Sequence, residues 1–192
     1  MQPLHHDRLQ RFEDLLEVSS EAMRSYSDAE LGYADSVGDF LARAGAEYSS
    51  MGLADAENAM RAVHAELVSA RRGVNALTSE RVTGRRREFE RSVALRGLLQ
   101  SAERLRADCA STREVLAETR ESLIPVLLFA IEKGLVPTRE GELSQAELEQ
   151  AWKLLLAHPE SRTAARVLAM KVSSPDIVIL LGDLWADGEI LG

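Results

Sequence analysis

Apolar residues recur at alternating intervals of three and four along most of the first 122 residues, with polar residues between them. One row is Leu9, Leu16, Met23, Glu30, Val37 and Ala44; the other is Phe12, Ser19, Tyr26, Tyr33 and Phe40. This is the seven-residue period of a coiled coil, not the 3.6-residue period of a helix on a compact core. It predicts one helix from a cap at Asp7 to about Tyr48, roughly 60 Å long, with Ser19 and Glu30 as the imperfections.

Ser49-Ser-Met-Gly52 predicts a reversal, since glycine accepts the left-handed conformation that closes a helix. The period then restarts with Leu53, Met60, Leu67 and Val74 beside Ala56, Val63, Ala70 and Leu77. It fades through Arg81, Gly84, Glu88 and Arg91. It resumes at Leu95, Ala102, Cys109, Leu116 and Leu123 beside Leu98, Leu105, Thr112, Thr119 and Val126. Leu53 and Leu95 stand six heptads apart without a slip. The shared frame favours one very long helix kinked near Gly84 over two helices and a loop at 78–90.

The character changes after Pro125. Ser144-Gln-Ala-Glu147 is a capping box opening a helix to about Ala157, which His158-Pro159 stops. A further helix is expected over about Glu160 to Val172. Ser174-Pro175-Asp176 reads as a cap, an N1 proline and a first-turn acid opening a last helix. The fold expected is all-α: an elongated antiparallel coiled-coil hairpin over 1–122, with a small helical module over 123–192.

Composition agrees. Few residues are aromatic, Ala, Leu, Glu, Arg and Ser dominate, and no alternating strand pattern is bounded by hairpin turns. The longest apolar run, Leu123–Ile131, is too short to span a membrane, and no signal peptide is read at the start. With a single cysteine, these features lead to the expectation of a cytoplasmic protein. The net charge of −8 is uneven. Residues 1–60 carry four Arg against twelve Asp/Glu, residues 61–106 eleven Arg against five Glu, and residues 107–192 eight Lys/Arg against fourteen Asp/Glu. An acidic chain therefore has a basic middle.

Candidate chemistry is sparse. His5, His6, His64 and His158 share no metal-ligand spacing, and Cys109 falls on the apolar seam as a small hydrophobe. No phosphate loop or nucleophile elbow occurs. Fragments at Gly141–Glu147 and Asp183–Ile190 echo calcium loops but lack several ligands. No enzyme and no cofactor are expected. The basic segment is the main candidate: Arg71, Arg72, Arg81, Arg85, Arg86, Arg87 and Arg91 form a solvated, Glu-paired helix face, a site for anionic lipid or a contact with acidic helices. Nucleic acid fits poorly, because Phe89 is the one aromatic residue available to stack a base.

Two stretches resemble the BAR-type helical domain, especially the kind found in sorting nexins. In Phe40-Leu-Ala-Arg-Ala-Gly-Ala-Glu-Tyr-Ser-Ser-Met-Gly-Leu53 a long helix ends in small residues before a second begins. Val93-Ala-Leu-Arg-Gly-Leu-Leu-Gln-Ser-Ala-Glu-Arg-Leu105 resembles the leucine-rich later part of that second helix. The resemblance covers about residues 8–122 and implies a curved dimer whose basic face, here the seven arginines, lies on anionic membrane. The chain departs from it after Pro125, where short acidic helices replace a long Lys-rich one.

The sequence thus points to a non-enzymatic scaffold or adaptor. It is expected to form a homodimer through its rod, because Tyr26, Tyr33, Val63 and Leu98 are half-covered in a lone hairpin. A protein partner is expected around Leu180, Leu184 and Trp185 of the C-terminal module. The alternative is a peripheral membrane binder using the arginines.

Overall fold

A computed structural model describes residues 4–28, 30, 32–136 and 143–187. Among these, seven helices form: α1 (His5–Ser27), α2 (Tyr33–Ser50), α3 (Ala54–Arg71), α4 (Arg86–Glu132), α5 (Gln145–Ala157), α6 (Arg162–Lys171) and α7 (Ser174–Ala186). The all-α class is as expected; the one β feature among the described residues is an isolated Val74–Arg81 bridge. No helix among them is long and apolar enough to cross a membrane. Residues 8–110 form one compact unit, and residues 4–7 with the chain from Ser111 onward form a second.

The expected first helix is in fact two. Ser25, Ser27, Asp28 and Gly32 crowd the end of α1, and such short polar side chains compete with the helix for backbone hydrogen bonds. Ser25 Oγ donates to Glu30 Oε2 at 2.6 Å. Tyr26 and Tyr33 meet edge to face, 5.6 Å between centroids, on either side of the break. Glu30 occupies a seam position because the seam does not continue there.

The reversal at Gly52 is as expected. Gly52 has φ +71°; its N–H bonds to Ser49 O and that of Leu53 to Tyr48 O, both at 3.0 Å. α2 and α3 fold back on each other from this turn. The favoured continuous helix through Gly84 does not form. Gly73 (φ +73°) ends α3 through bonds from Gly73 N to Ala70 O and from Val74 N to Ser69 O, and α4 begins only at Arg86. Val74, assigned to the seam, opens a hairpin instead. Within α4 the seven-residue frame holds. Both rows are buried from Leu98 to Val126, Leu95 alone being half-exposed, and Pro125 lies inside the helix without ending it.

The core of the first unit is Phe12, Leu15, Phe40, Leu41, Tyr48, Met60, Leu67, Leu98 and Leu105. The fully buried Tyr48 donates its hydroxyl to Asp108 Oδ2 at 2.6 Å, and Arg104 Nε donates to the same oxygen at 2.9 Å. Burial, then the hydrogen bond to Asp108 and its charge, push the Tyr48 hydroxyl far above the usual phenol range; Arg104 opposes them. Folded Tyr48 keeps its proton where the unfolded chain, with an ordinary phenol near 10, loses it. This contribution to stability is thus fully present below about pH 10 and declines above it. Ultraviolet titration is expected to show Tyr48 ionising only together with alkaline unfolding. A phenolate appearing while the helices persist would contradict this placement.

In the second unit α5, α6 and α7 pack on one another. The capping box on α5 forms as expected, Ser144 taking the Glu147 N–H while Glu147 takes the Ser144 N–H. The cap of α7 is Ser173, one residue before the Ser174 expected; its hydroxyl accepts from Asp176 N, and Pro175 lies in the first turn.

Candidate partner-binding groove of the C-terminal unit

Leu180, Leu184 and Trp185 are core residues, all buried inside the second unit. The face expected to meet a partner is therefore turned inward. What α7 does present is its neighbouring row, Val178, Ile179 and Gly182, which faces α5 across a groove of about 720 Å³. Leu148, Trp152 and Leu156 form the α5 wall, and Leu4 closes one end. Gln145, Glu149, Lys153 and Asp183 stand on the polar rim.

Two devices hold the walls. Trp152 Nε1 donates to Ser174 Oγ at 3.3 Å, pinning the indole against the start of α7. Leu4 is held by the adjoining turn. Asp176, fully buried, accepts the backbone N–H of His5 at 3.1 Å and of His6 at 3.2 Å, and the His6 ring Nδ1–H at 2.8 Å. Ser173 Oγ donates at 2.7 Å to Oδ2, the oxygen that also takes the His5 N–H. One carboxylate thus caps the first turn of α1 and stands in the first turn of its own helix. Burial alone would raise its pKa, but the His6, Ser173 and backbone hydrogen bonds together outweigh this and hold the carboxyl below its usual range.

Gly182 keeps the groove open. A Cβ there would lie 3.3 Å from Leu148 Cδ1, so any side chain would project against the α5 wall. Exposed large apolar residues also collect in this unit: Leu128, Leu154, Val167, Met170 and Ile179 belong to it, Leu77 and Leu99 to the other.

The seven arginines lie at and beside the α3–α4 connection, in several environments. Arg71 pairs with Asp35 at 2.6 Å and Arg85 with Glu88 at 3.3 Å. The Arg86 guanidinium donates to the Arg71 carbonyl, and that of Arg91 lies 4.9 Å from the Tyr26 ring centre. Arg72, Arg81 and Arg87 are exposed with no carboxylate partner among the described residues. Of the seam residues expected to recruit a second copy, one is covered within the chain and three stay partly exposed. Leu98 is buried, and Tyr26, Tyr33 and Val63 pack against the core of their own unit.

Cys109 is buried, as its seam position required. His158 stacks edge-on against Phe129, 5.1 Å between centroids. Among the described residues no three His, Cys, Asp or Glu side chains converge on a metal position. Gly141 and Glu142 of the first calcium-loop fragment and residues 188–190 of the second lie outside the described residues. The sequence reading missed the groove because its walls are separate in sequence. The one available signal was that Val178, Ile179 and Gly182 share a face of α7 opposite Leu180 and Leu184. Comparison with protein-family models, curated proteins and solved structures finds no match to this chain.

Proposed function

We propose that this chain is a non-enzymatic helical scaffold whose C-terminal unit captures an amphipathic helix of a partner protein. The groove between α5 and α7 carries this reading. Its volume lies within the usual range of binding pockets, roughly 300–1,000 Å³, and its walls are mainly apolar, with few polar groups: four at the rim, and Ser174 bonded to the Trp152 indole. A helix offering apolar residues at i, i+3 or i+4 and i+7 fits such a site. Glu149 and Asp183 against the single cation Lys153 favour a partner with Lys or Arg beside its apolar stripe.

Selection of displayed helical peptides against the full chain tests this. Sequences with that spacing and basic flanks are expected to be enriched. Gly182→Leu is expected to weaken a selected peptide at least about tenfold, the loss of ~1.4 kcal/mol. Leu148 has a flexible end that can turn aside, so the variant fills the groove with little damage to the fold. Ile179→Asp, on the exposed part of the wall, provides a second probe. No enrichment, or binding indifferent to both variants, would remove the reading. Light scattering separates a second copy of this chain from a foreign partner as occupant.

A further inference from the structure

The connection between α3 and α4 is a built structure. Val74 and Arg81 pair across it; Asn75 N bonds to Glu80 O at 2.9 Å, Val82 N to Gly73 O at 2.9 Å and Ser79 N to Asn75 O at 2.8 Å. Asn75 Oδ1 accepts from Leu77 N at 3.0 Å, and Ser79 is held at φ +59°, uncommon for a residue with a side chain. This hairpin presents Leu77 at its tip, 76% exposed. The bond from Arg86 to the Arg71 carbonyl ties its two feet together. Around them stand Arg72, Arg81 and Arg87, exposed and without carboxylate partners among the described residues.

We propose that this hairpin docks the protein on an anionic lipid surface, with Leu77 entering the boundary between headgroups and acyl chains and the arginines binding headgroup phosphates. Three observations favour lipid over a protein partner. A lone leucine at an apex offers too little apolar area for a protein interface core, whereas a bilayer accepts single side chains. The hairpin's own hydrogen bonds fix the loop that carries this leucine, 76% exposed, so the apolar tip is presented without prior ordering. Exposed arginines stand at both feet of the hairpin, Arg72 before it and Arg81 and Arg87 after its tip, as expected of a contact that meets phosphate and hydrocarbon at neighbouring depths. The acidic remainder of the chain is repelled by the same surface, which favours approach through the basic hairpin.

The proposal is independent of the groove and is tested on the full chain by co-sedimentation with phosphatidylcholine vesicles, with and without phosphatidylserine, at low and physiological salt. Binding is expected to require phosphatidylserine and to weaken with salt. Reversing Arg72, Arg81 and Arg87 to Glu is expected to abolish it. Leu77→Ser is expected to weaken it about tenfold and Leu77→Trp to strengthen it, neither affecting folding because the side chain is exposed. Gly182→Leu is expected to leave vesicle binding unchanged, which separates a failure here from a failure of the groove. No binding at either salt overturns the proposal. So does binding that ignores both Leu77 variants, or soluble polyglutamate bound as tightly as vesicles, which would mark a site for acidic proteins.

Discussion

Asp176→Ala is expected to lower the stability of the C-terminal unit by ~3 kcal/mol, among the largest effects of any single polar substitution in this protein. The carboxylate is fully buried and takes four hydrogen bonds, from His5 N, His6 N, the His6 ring and Ser173. Alanine leaves those donors unanswered and removes the cap of α1, itself worth ~1 kcal/mol. Trp152 and Trp185 are the only tryptophans and both lie in this unit, so tryptophan fluorescence reports its unfolding selectively. The urea midpoint is expected to fall by at least about 1 M. The pH dependence has a definite sign. The folded carboxyl is held below the unfolded value of about 3.9, so its contribution is complete above that pH and is lost as pH falls through the folded value. The acid limb of the stability curve should therefore be shallower in Asp176→Ala. An unchanged midpoint would show that the four bonds contribute nothing net.

Gly97→Ala should also destabilise, against the usual direction. In a helix interior this change ordinarily gains ~1 kcal/mol. Here the new Cβ would lie 2.6 Å from Val63 Cγ1, closer than side chains approach, with Leu41 Cδ1 also near at 4.0 Å. Val63 is β-branched and cannot swing its methyl away freely. Overpacking of this kind costs up to ~3 kcal/mol, so a net loss of ~2 kcal/mol is expected. Val63→Ala opens the space, and in that background Gly97→Ala should turn neutral or stabilising. The coupling between the two sites is the decisive quantity in the double-mutant cycle. Additive effects would mean that α3 and α4 do not approach so closely at Gly97.

The parts of the fold that were legible in sequence are those fixed by neighbours in the chain. The Gly52 turn, the Ser144–Glu147 box and the α4 seam from Leu98 to Val126 each depend on residues within a few positions of one another. The two interruptions were hidden differently. The 72–85 hairpin is 14 residues long, two whole heptads, so the frame resumes in phase beyond it; the 28–32 turn is only five residues long, and the apolar row is buried again beyond it at Val37, Phe40 and Ala44. Side-chain chemistry carries the information that periodicity lacks, in Ser25, Ser27, Asp28 and Gly32 and again in Gly73 and Asn75. The candidate site was less legible. Asp176 was visible as a first-turn acid, yet nothing local ties it to His5 and His6, some 170 residues away. Leu180, Leu184 and Trp185 stand on a helix that lines the groove but are themselves buried, because an apolar row seen in sequence does not tell core from surface.

The burial of Cys109 has a practical consequence. It is the chain's single thiol, it lies in the unit that contains no tryptophan, and it sits midway along α4. A thiol reagent reaches it only when that stretch of helix opens, so the rate of modification under native conditions measures the opening equilibrium there. Labelling kinetics and indole emission together would show whether the two halves of α4 melt in one step or in succession, without any engineered probe.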